Sequence, residues 1–220
     1  MHARLVLARA VTIAIRYTSI RRQFHSKDSP IPTKGEVQQE IPVLDYSTVQ
    51  IRLFPLLAST FALHYSGLAM KKLFDQTRSA VEKNEFSGLI ELHTMSSGLK
   101  SLCTDTAADG IEICRRAMGG HGFGGYSGLV QLNADYLSKP TVEGDNWMIT
   151  QQVSRYLMKM ATAIAKDNAR GGTGPAAAML RNYRSRPDRT PDLNVLDNIH
   201  DMVTAFEHRT AYLVRDLTIY

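Results

Sequence analysis

Apolar residues recur at helical spacing along nearly the whole chain. In residues 3–23 they lie three to five residues apart, at Leu5, Ala8, Val11, Ile15 and Ile20. Such spacing places apolar side chains on one face of an α-helix. Patterns of the same kind predict further helices over residues 47–83, 86–118 and 127–136, after Asn146, and over residues 193–217. The pattern therefore predicts an all-α fold.

Proline and glycine mark the expected breaks between these helices. Two prolines predict a loop over residues 26–34, and Pro55 is expected to kink or restart the second helix. The glycines of residues 171–174 and the two prolines of residues 184–192 predict a linker.

The composition is that of a globular protein with one strongly basic segment. Of the 220 residues, 44% are hydrophobic and 21% are charged, which is ordinary for a soluble domain. No apolar run approaches the roughly 18 residues needed to cross a bilayer, so we expect no membrane span. The net charge of +5 comes from residues 1–27, which hold six basic and no acidic residues and leave 20 basic against 21 acidic residues elsewhere.

The basic segment allows more than one interpretation. An arginine-rich start without acids imitates a mitochondrial presequence, and a basic face can also bind nucleic acid or anionic lipid. The basic residues have no accompanying aromatic stacking platform and belong to no binding motif, so we predict no nucleic-acid partner.

Cysteines and histidines argue against a disulfide or a metal site. Cys103 and Cys114 are eleven residues apart on one predicted helix, which separates them by roughly 16 Å along its axis. A disulfide cannot span that distance, and the pair suggests buried thiols in a reducing compartment. The seven histidines show no i, i+3 or i, i+4 pair, so no metal site is predicted.

Glu143 is a candidate catalytic base. It stands between the apolar Val142 and Gly144, and a poorly solvated carboxylate has a raised pKa and is a stronger base. The alternative is that Glu143 and Asp145 open the following helix, where negative charge complements the amide dipoles and Asp145 or Asn146 caps free N–H groups.

A glycine-dense turn follows the third predicted helix. Glycines at 119, 120, 122, 124 and 125 let the backbone approach a ligand and direct N–H groups at an anion such as a pyrophosphate. The order fits neither the dinucleotide fingerprint nor the phosphate loop. The alternative is a helix end with Gly119 or Gly120 as its left-handed cap.

Five ordered segments carry a family resemblance. Two contain the candidate sites: G-I-E-I-C-R-R-A-M-G-G-H-G-F at Gly110–Phe123 and T-V-E-G-D-N at Thr141–Asn146. The others are Ala8–Phe24, Phe54–Ala62 and Leu92–Lys100. Together they resemble the acyl-CoA oxidases, flavoenzymes of peroxisomal fatty-acid β-oxidation related to the acyl-CoA dehydrogenases. His121 within G-G-H-G favours an oxidase over a dehydrogenase.

The resemblance implies a domain organisation. It predicts an up-down helical bundle in residues 1–165, a linker in 166–192 and the truncated start of a second C-terminal helical domain in 193–220. Because Ala8–Phe24 matches an internal helix of the family, Met1 is interpreted as a start within a longer frame that would include an N-terminal helical domain and a β-domain. The resemblance further implies FAD, fatty acyl-CoA and O2 as ligands, a homodimer, and a peroxisomal location.

The same resemblance assigns roles to residues. Glu143 matches the base that removes the α-proton of the acyl-CoA thioester while the β-hydrogen passes as hydride to the flavin. The products are a trans-2-enoyl-CoA and, after reoxidation by O2, hydrogen peroxide. Gly144 matches a substrate contact. Cofactor contacts are expected at Arg21, Phe24, Gly119, Gly120, Gly122, Asp145 and Asn146, with those of R-x-x-F and the glycine turn made to a neighbouring subunit's flavin.

Three positions depart from the family pattern. His25 replaces the glycine that usually follows R-x-x-F, Phe123 replaces a commoner tyrosine, and Val142 replaces an aromatic residue. Two structural alternatives remain open: Arg21 as a solvated helix terminus and Phe24 as a core residue.

Two other functions also remain open. One is a non-catalytic helical dimerisation module left by truncation, and the other is an acyl-CoA dehydrogenase.

Overall fold

The computed structural model describes residues 2–25, 39–166, 172, 174–185 and 194–219. These residues form eight α-helices, α1 (His2–Ile20), α2 (Ser47–Val81), α3 (Leu89–Ala117), α4 (Gly120–Phe123), α5 (Leu129–Tyr136), α6 (Asn146–Ala165), α7 (Pro175–Ser185) and α8 (Ile199–Ile219). Short 3-10 helices at Val43–Asp45 and Gly125–Ser127 precede α2 and α5. No β-strand occurs in these ranges, and the prediction of an all-α fold is confirmed. The loop expected at residues 26–34 lies outside the described residues.

The first compact unit, Met1–Asn146, is built on α1, α2 and α3, with α5 packed on α3. Its core is centred on fully buried side chains, one from each of these helices: Leu7, Leu53, Ile111 and Leu129. Gly110 allows α1 and α3 to approach closely, because a Cβ there would lie 2.5 Å from the Leu7 Cδ1 atom. This packing fixes the positions of the two candidate sites. The glycine turn follows α3 and lies beside the end of α1, and the Glu143 turn follows α5.

Pro55 lies inside α2 without restarting it, so the expected restart is wrong, while the expected kink stays a prediction. The helix is continuous from Ser47 to Val81. An internal proline costs about 3 kcal/mol because it removes a backbone hydrogen bond and crowds the preceding turn. Leu53 and Leu56, on either side of Pro55, are buried in the core, and their packing opposes that cost.

The second compact unit is Trp147–Tyr220. Its core contains buried residues of α6, α7 and α8, namely Met160, Ile164, Ala177, Leu180, Tyr183, Ala211 and Val214. The division therefore falls before most of α6, whereas the sequence interpretation kept that helix in a bundle ending at residue 165. The reason is that Met160 and Ile164 of α6 pack with α7 and α8.

Helix α7 lies within residues 166–192, the segment predicted as a linker. Pro175 begins the helix, where a missing N–H is no loss and the fixed φ suits the first turn. Ala177, Leu180 and Tyr183 then recur at three-residue spacing and are buried. Residues 167–171, 173 and 186–192 of the expected linker lie outside the described part.

One helix among the described residues, α2, is long and apolar enough to cross a membrane, by length and composition only. Its most apolar window has a mean hydropathy of 1.3. This is a weak indication, because core helices of soluble proteins pass the same test, and α2 packs against α1 and α3. The expectation of no membrane span stays a prediction.

Candidate active site

Glu143 lies in a compact turn that connects α5 to α6. The Val142 N–H donates to the Ser138 carbonyl oxygen and the Asn146 N–H to that of Pro140, each at 3.0 Å. Glu143 has a φ of +58° and Gly144 one of +99°. A positive φ costs a residue with a Cβ about 1–2 kcal/mol. The Glu143 side chain is exposed, so the poorly solvated carboxylate expected from the sequence is not formed within the described part of this chain. Its backbone is held in an unfavourable conformation.

A groove of about 740 Å³ opens beside Glu143. Much of its wall is apolar and comes from α2, α3 and the Glu143 turn: Leu63, Met70, Phe74, Leu99, Cys103 and Val142. Its volume falls in the range of small-molecule sites. The groove can hold an extended apolar ligand with one carboxylate beside it.

The groove also carries positive charge. Arg4, Lys71, Lys100 and Lys139 lie in its wall. A cleft lined by one sign of charge concentrates ligands of the opposite sign. The combination of an apolar wall and several cations suits a ligand with a hydrocarbon part and an anionic part.

Lys100 on α3 binds the Glu143 turn directly. Its Nζ donates to the carbonyl oxygens of Pro140 at 2.9 Å and Gly144 at 2.7 Å, and to Asn146 Oδ1 at 2.7 Å. Sequence reasoning assigned no role to Lys100. The available signal was its position at the end of Leu92–Lys100, one of the five family-like segments.

Asn146 continues this network towards α3. Its side chain is buried, and its Nδ2 donates to Asp105 Oδ1 at 2.7 Å and Thr104 Oγ1 at 2.9 Å. The amide therefore joins the end of the Glu143 turn to α3. The expected cofactor contacts of Asn146 and Asp145, and the substrate contact of Gly144, stay predictions.

The glycine turn ends α3, and its glycines have different surroundings. A Cβ on Gly122 would lie 1.8 Å from the Arg115 carbonyl oxygen, so packing demands glycine there. A Cβ on Gly119 or Gly120 would meet no heavy atom of the described chain within 4 Å. Gly119 has a φ of +59°. Gly119 and Gly120 thus leave an open surface, whereas Gly122 is needed by the fold.

The structure brings this turn to the end of α1. The Tyr17 hydroxyl and His121 Nδ1 are 2.8 Å apart. Tyr17, Arg21, Arg22 and His121 line an open pocket of about 480 Å³ together with Ile20. Two predicted cofactor elements, R-x-x-F and the glycine turn, are therefore neighbours, with Arg21 of the first and His121 of the second in one pocket.

Arg21 and Phe24 follow the C-terminal end of α1. Arg21 Nη2 donates to Gln23 Oε1 at 2.9 Å. Phe24 is 68% exposed and has a φ of +58°, so within this chain it is not a core residue. His25 Nδ1 lies 3.2 Å from the Gln39 carbonyl oxygen.

Contacts and burial within the protein shift the pKa of three ionisable groups on α3. Hydrogen bonds from Arg115, and then from Arg116, lower the pKa of Glu112 to about 2. Burial raises the pKa of the Cys114 thiol to about 12 and also raises that of Cys103. Among the residues that the structure describes, no three His, Cys, Asp or Glu side chains form a metal-binding group.

Known proteins similar to this chain are acyl-CoA oxidases. The sequence model of the family described as "Acyl-CoA oxidase, C-alpha1 domain" matches residues 1–158. The chain is 43% identical over 172 residues to the putative peroxisomal acyl-coenzyme A oxidase 1.2 of Arabidopsis thaliana, covering 78% of this chain and 25% of that protein. It is 34% identical over 211 residues to peroxisomal acyl-coenzyme A oxidase 1 of Rattus norvegicus, covering 94% of this chain and 31% of that protein.

Solved structures agree with these matches. Arabidopsis thaliana acyl-CoA oxidase 1 superimposes with a TM-score of 0.87 and 35% identity, covering 99% of this chain and 32% of that one. Acyl-CoA oxidase-2 of Caenorhabditis elegans, bound with FAD, ascaroside-CoA and ATP, gives a TM-score of 0.86 and 33% identity, covering 99% and 31%. This chain spans about a quarter to a third of the length of these relatives. From its family-domain match and its fold, the chain belongs to the acyl-CoA oxidase family.

Proposed function

We propose that this protein supplies the catalytic base and part of the flavin site of a peroxisomal acyl-CoA oxidase. The observation that carries the proposal is Glu143, an exposed carboxylate on a strained turn beside a groove with apolar and cationic walls. The relatives from Arabidopsis thaliana and Rattus norvegicus, which are named peroxisomal, support the location. The Caenorhabditis elegans structure with FAD and ascaroside-CoA supports the ligand classes.

The chemical role of this chain is proton removal and substrate orientation. The apolar wall of the groove holds the fatty acyl chain, and its cations Arg4, Lys71 and Lys139 favour the phosphates of coenzyme A. Glu143 takes the α-proton of the thioester, and Gly144 contacts the substrate next to it. A fixed base gains much of its effect from position, since a correctly oriented group avoids the entropic cost of a bimolecular encounter.

FAD fits the residues at the end of α1. The open surface at Gly119 and Gly120 leaves room for a ligand to approach the backbone, and Arg21 and Arg22 supply charge for a pyrophosphate. When bound, FAD accepts the β-hydrogen as hydride and passes the electrons to O2, which gives hydrogen peroxide.

The remaining predicted flavin contacts are Phe24, Gly122, Asp145 and Asn146. Phe24 is exposed and so available to another subunit. Gly122, Asp145 and Asn146 rest on the family resemblance. Because R-x-x-F and the glycine turn are expected to touch a neighbouring subunit's flavin, we propose a homodimer. We likewise keep the division into a bundle, a linker and a second helical domain as a proposal.

The proposal is tested by Glu143→Gln. With FAD-loaded protein, fatty acyl-CoA and O2, peroxide production is expected to fall by about 10²–10⁴-fold, because an amide cannot accept the α-proton. Flavin binding and helical content are expected to stay unchanged. Glu85→Gln, at an exposed acid between α2 and α3, is the matched control and is expected to retain wild-type turnover. Turnover by Glu143→Gln near the wild-type rate would exclude Glu143 as the base.

A helical interaction module is the second candidate, and an apolar stripe on α2 favours it. Large exposed side chains follow one another at three- to four-residue spacing along one face of the helix, at Ile51, Phe54, Leu57, Phe61, Tyr65 and Leu68. Exposed apolar surfaces of this kind mark interaction sites. Light scattering together with flavin absorbance separates the candidates: a stable dimer that retains no FAD supports the module, whereas retained FAD with peroxide production supports the oxidase.

A further inference from the structure

We propose that Lys100 is a positioning residue for proton removal, which fixes the Glu143 turn in its reactive conformation. The inference rests on the proposed function for its catalytic part, and on the hydrogen bonds of Lys100 for its structural part. Lys100 acts through the backbone of the turn and takes no proton itself.

The Lys100 ammonium group bonds to the turn on both sides of Glu143. It donates to the Pro140 carbonyl at 2.9 Å and to the Gly144 carbonyl at 2.7 Å, while the third bond goes to Asn146 Oδ1 at 2.7 Å. A lysine ammonium has three donors, and three acceptors match that number. Bonds from a charged donor are shorter and stronger than neutral ones.

The conformation of the turn explains why such a clamp is needed. Glu143 and Gly144 both have positive φ values, +58° and +99°. A strained backbone of this kind persists only where the surroundings hold it, and it is concentrated at active sites. The bond from Lys100 to the Gly144 carbonyl holds the peptide group between Gly144 and Asp145, one residue after Glu143.

Helix α3 provides the rigid base for the clamp. Lys100 lies between Ser97 and Ser101, which are buried against the rest of the first unit. Asn146 adds a second connection, because its Nδ2 donates to Asp105 Oδ1 at 2.7 Å. The turn is therefore attached by hydrogen bonds to α3 at both Lys100 and Asp105. The position of the Glu143 carboxylate consequently depends on the position of α3.

The test combines hydrogen exchange with kinetics of the FAD-loaded protein. In Lys100→Met, the amides of Val142 and Asn146 are expected to exchange at least about tenfold faster, since the turn opens locally without its charged donor. The kcat for acyl-CoA is expected to fall about 10- to 100-fold, because small displacement of a base is costly, while KM and FAD content change less than about threefold.

Lys72→Met is the matched control, since it removes the same charge from an exposed position of α2. It is expected to leave both exchange and kcat unchanged. If Lys100→Met loses helical signal, Lys100→Gln is used in its place; its neutral amide lacks the charge and one of the three donors, so faster exchange and a lower kcat are still expected. Unchanged exchange in the turn would overturn the clamp, and faster exchange with unchanged kcat would reduce Lys100 to a structural role.

Two outcomes separate this inference from the proposed function. A raised KM with unchanged kcat would make Lys100 a substrate contact of the groove and overturn the positioning role. If Glu143→Gln keeps full turnover while Lys100→Met exchanges faster, the proposed base fails and the clamp itself stands.

Discussion

Gly122 and Gly120, two residues apart in one turn, are expected to respond oppositely to replacement by alanine. Sequence alone makes both candidates for a cofactor contact. In the structure, a Cβ on Gly122 would lie 1.8 Å from the Arg115 carbonyl oxygen and 2.8 Å from its carbon, whereas a Cβ on Gly120 meets no heavy atom of the described residues within 4 Å. One glycine is required by packing and the other leaves a free surface.

The magnitudes follow from these distances. Ordinary contacts of a Cβ begin near 3.4 Å, so Gly122→Ala forces α4 more than an ångström away from the backbone of α3. Overpacking costs 1–3 kcal/mol and occasionally more, and since the clash is with backbone we expect a loss of about 3 kcal/mol. Gly120→Ala has an acceptable backbone and is expected to stabilise by about 0.4–1 kcal/mol, since alanine restricts the unfolded chain.

Thermal unfolding followed by circular dichroism measures both effects. For a protein of this size each kcal/mol shifts Tm by about 2–4 °C, so Gly122→Ala is expected to lower Tm by about 6–12 °C. Gly120→Ala should keep or raise Tm and yet weaken FAD binding, because the new methyl group occupies the open surface. A Gly122→Ala protein as stable as the wild type would refute the packing requirement at Gly122. Unchanged FAD affinity in Gly120→Ala would refute FAD binding at the open surface of Gly119 and Gly120.

Two further predictions concern the ionisable groups of α3. The pKa of Glu112 is lowered from 4.5 to about 2, first by its hydrogen bond from Arg115; the stability it contributes is therefore complete above about pH 4.5 and is lost as the pH falls towards 2. We expect Glu112→Gln to cost about 1 kcal/mol at pH 7 and to remove this pH dependence of the urea midpoint, and an equal pH dependence in both proteins would contradict the assignment. Because Cys114 is buried and its pKa is raised to about 12, a thiol reagent at pH 8 should label the half-buried Cys103 first, and equal labelling rates in the folded protein would contradict its burial.

Helical periodicity predicted most of the fold, and the two exceptions lie at glycine- and proline-containing segments. The apolar pattern of α1 and α3 was sufficient because each helix buries one continuous face. Helix α7 was missed because the glycines and prolines around residues 171–192 resemble a linker, whereas its own Ala177, Leu180 and Tyr183 show the helical period. Pro55 did not restart α2, since tertiary packing outweighed its local penalty.

The candidate site was predictable in its residues and not in its geometry. The resemblance pointed to Glu143 and to the glycine turn. The family-like segment Leu92–Lys100 contains Lys100 but does not show its contacts, because its partners lie 40 to 46 residues away in the sequence and no local pattern encodes them. The different surroundings of Gly120 and Gly122 likewise depend on how α4 folds back against the backbone of α3.

The most direct test of Glu143 as the base is a single-turnover reduction of bound FAD without oxygen. Protein carrying residues 1–220 is loaded with FAD, freed of excess cofactor and mixed anaerobically with fatty acyl-CoA while the flavin absorbance is recorded. We predict rapid bleaching in the wild-type protein and in Glu85→Gln, and none on that timescale in Glu143→Gln with the same FAD content. Equally rapid bleaching in Glu143→Gln would contradict the central claim.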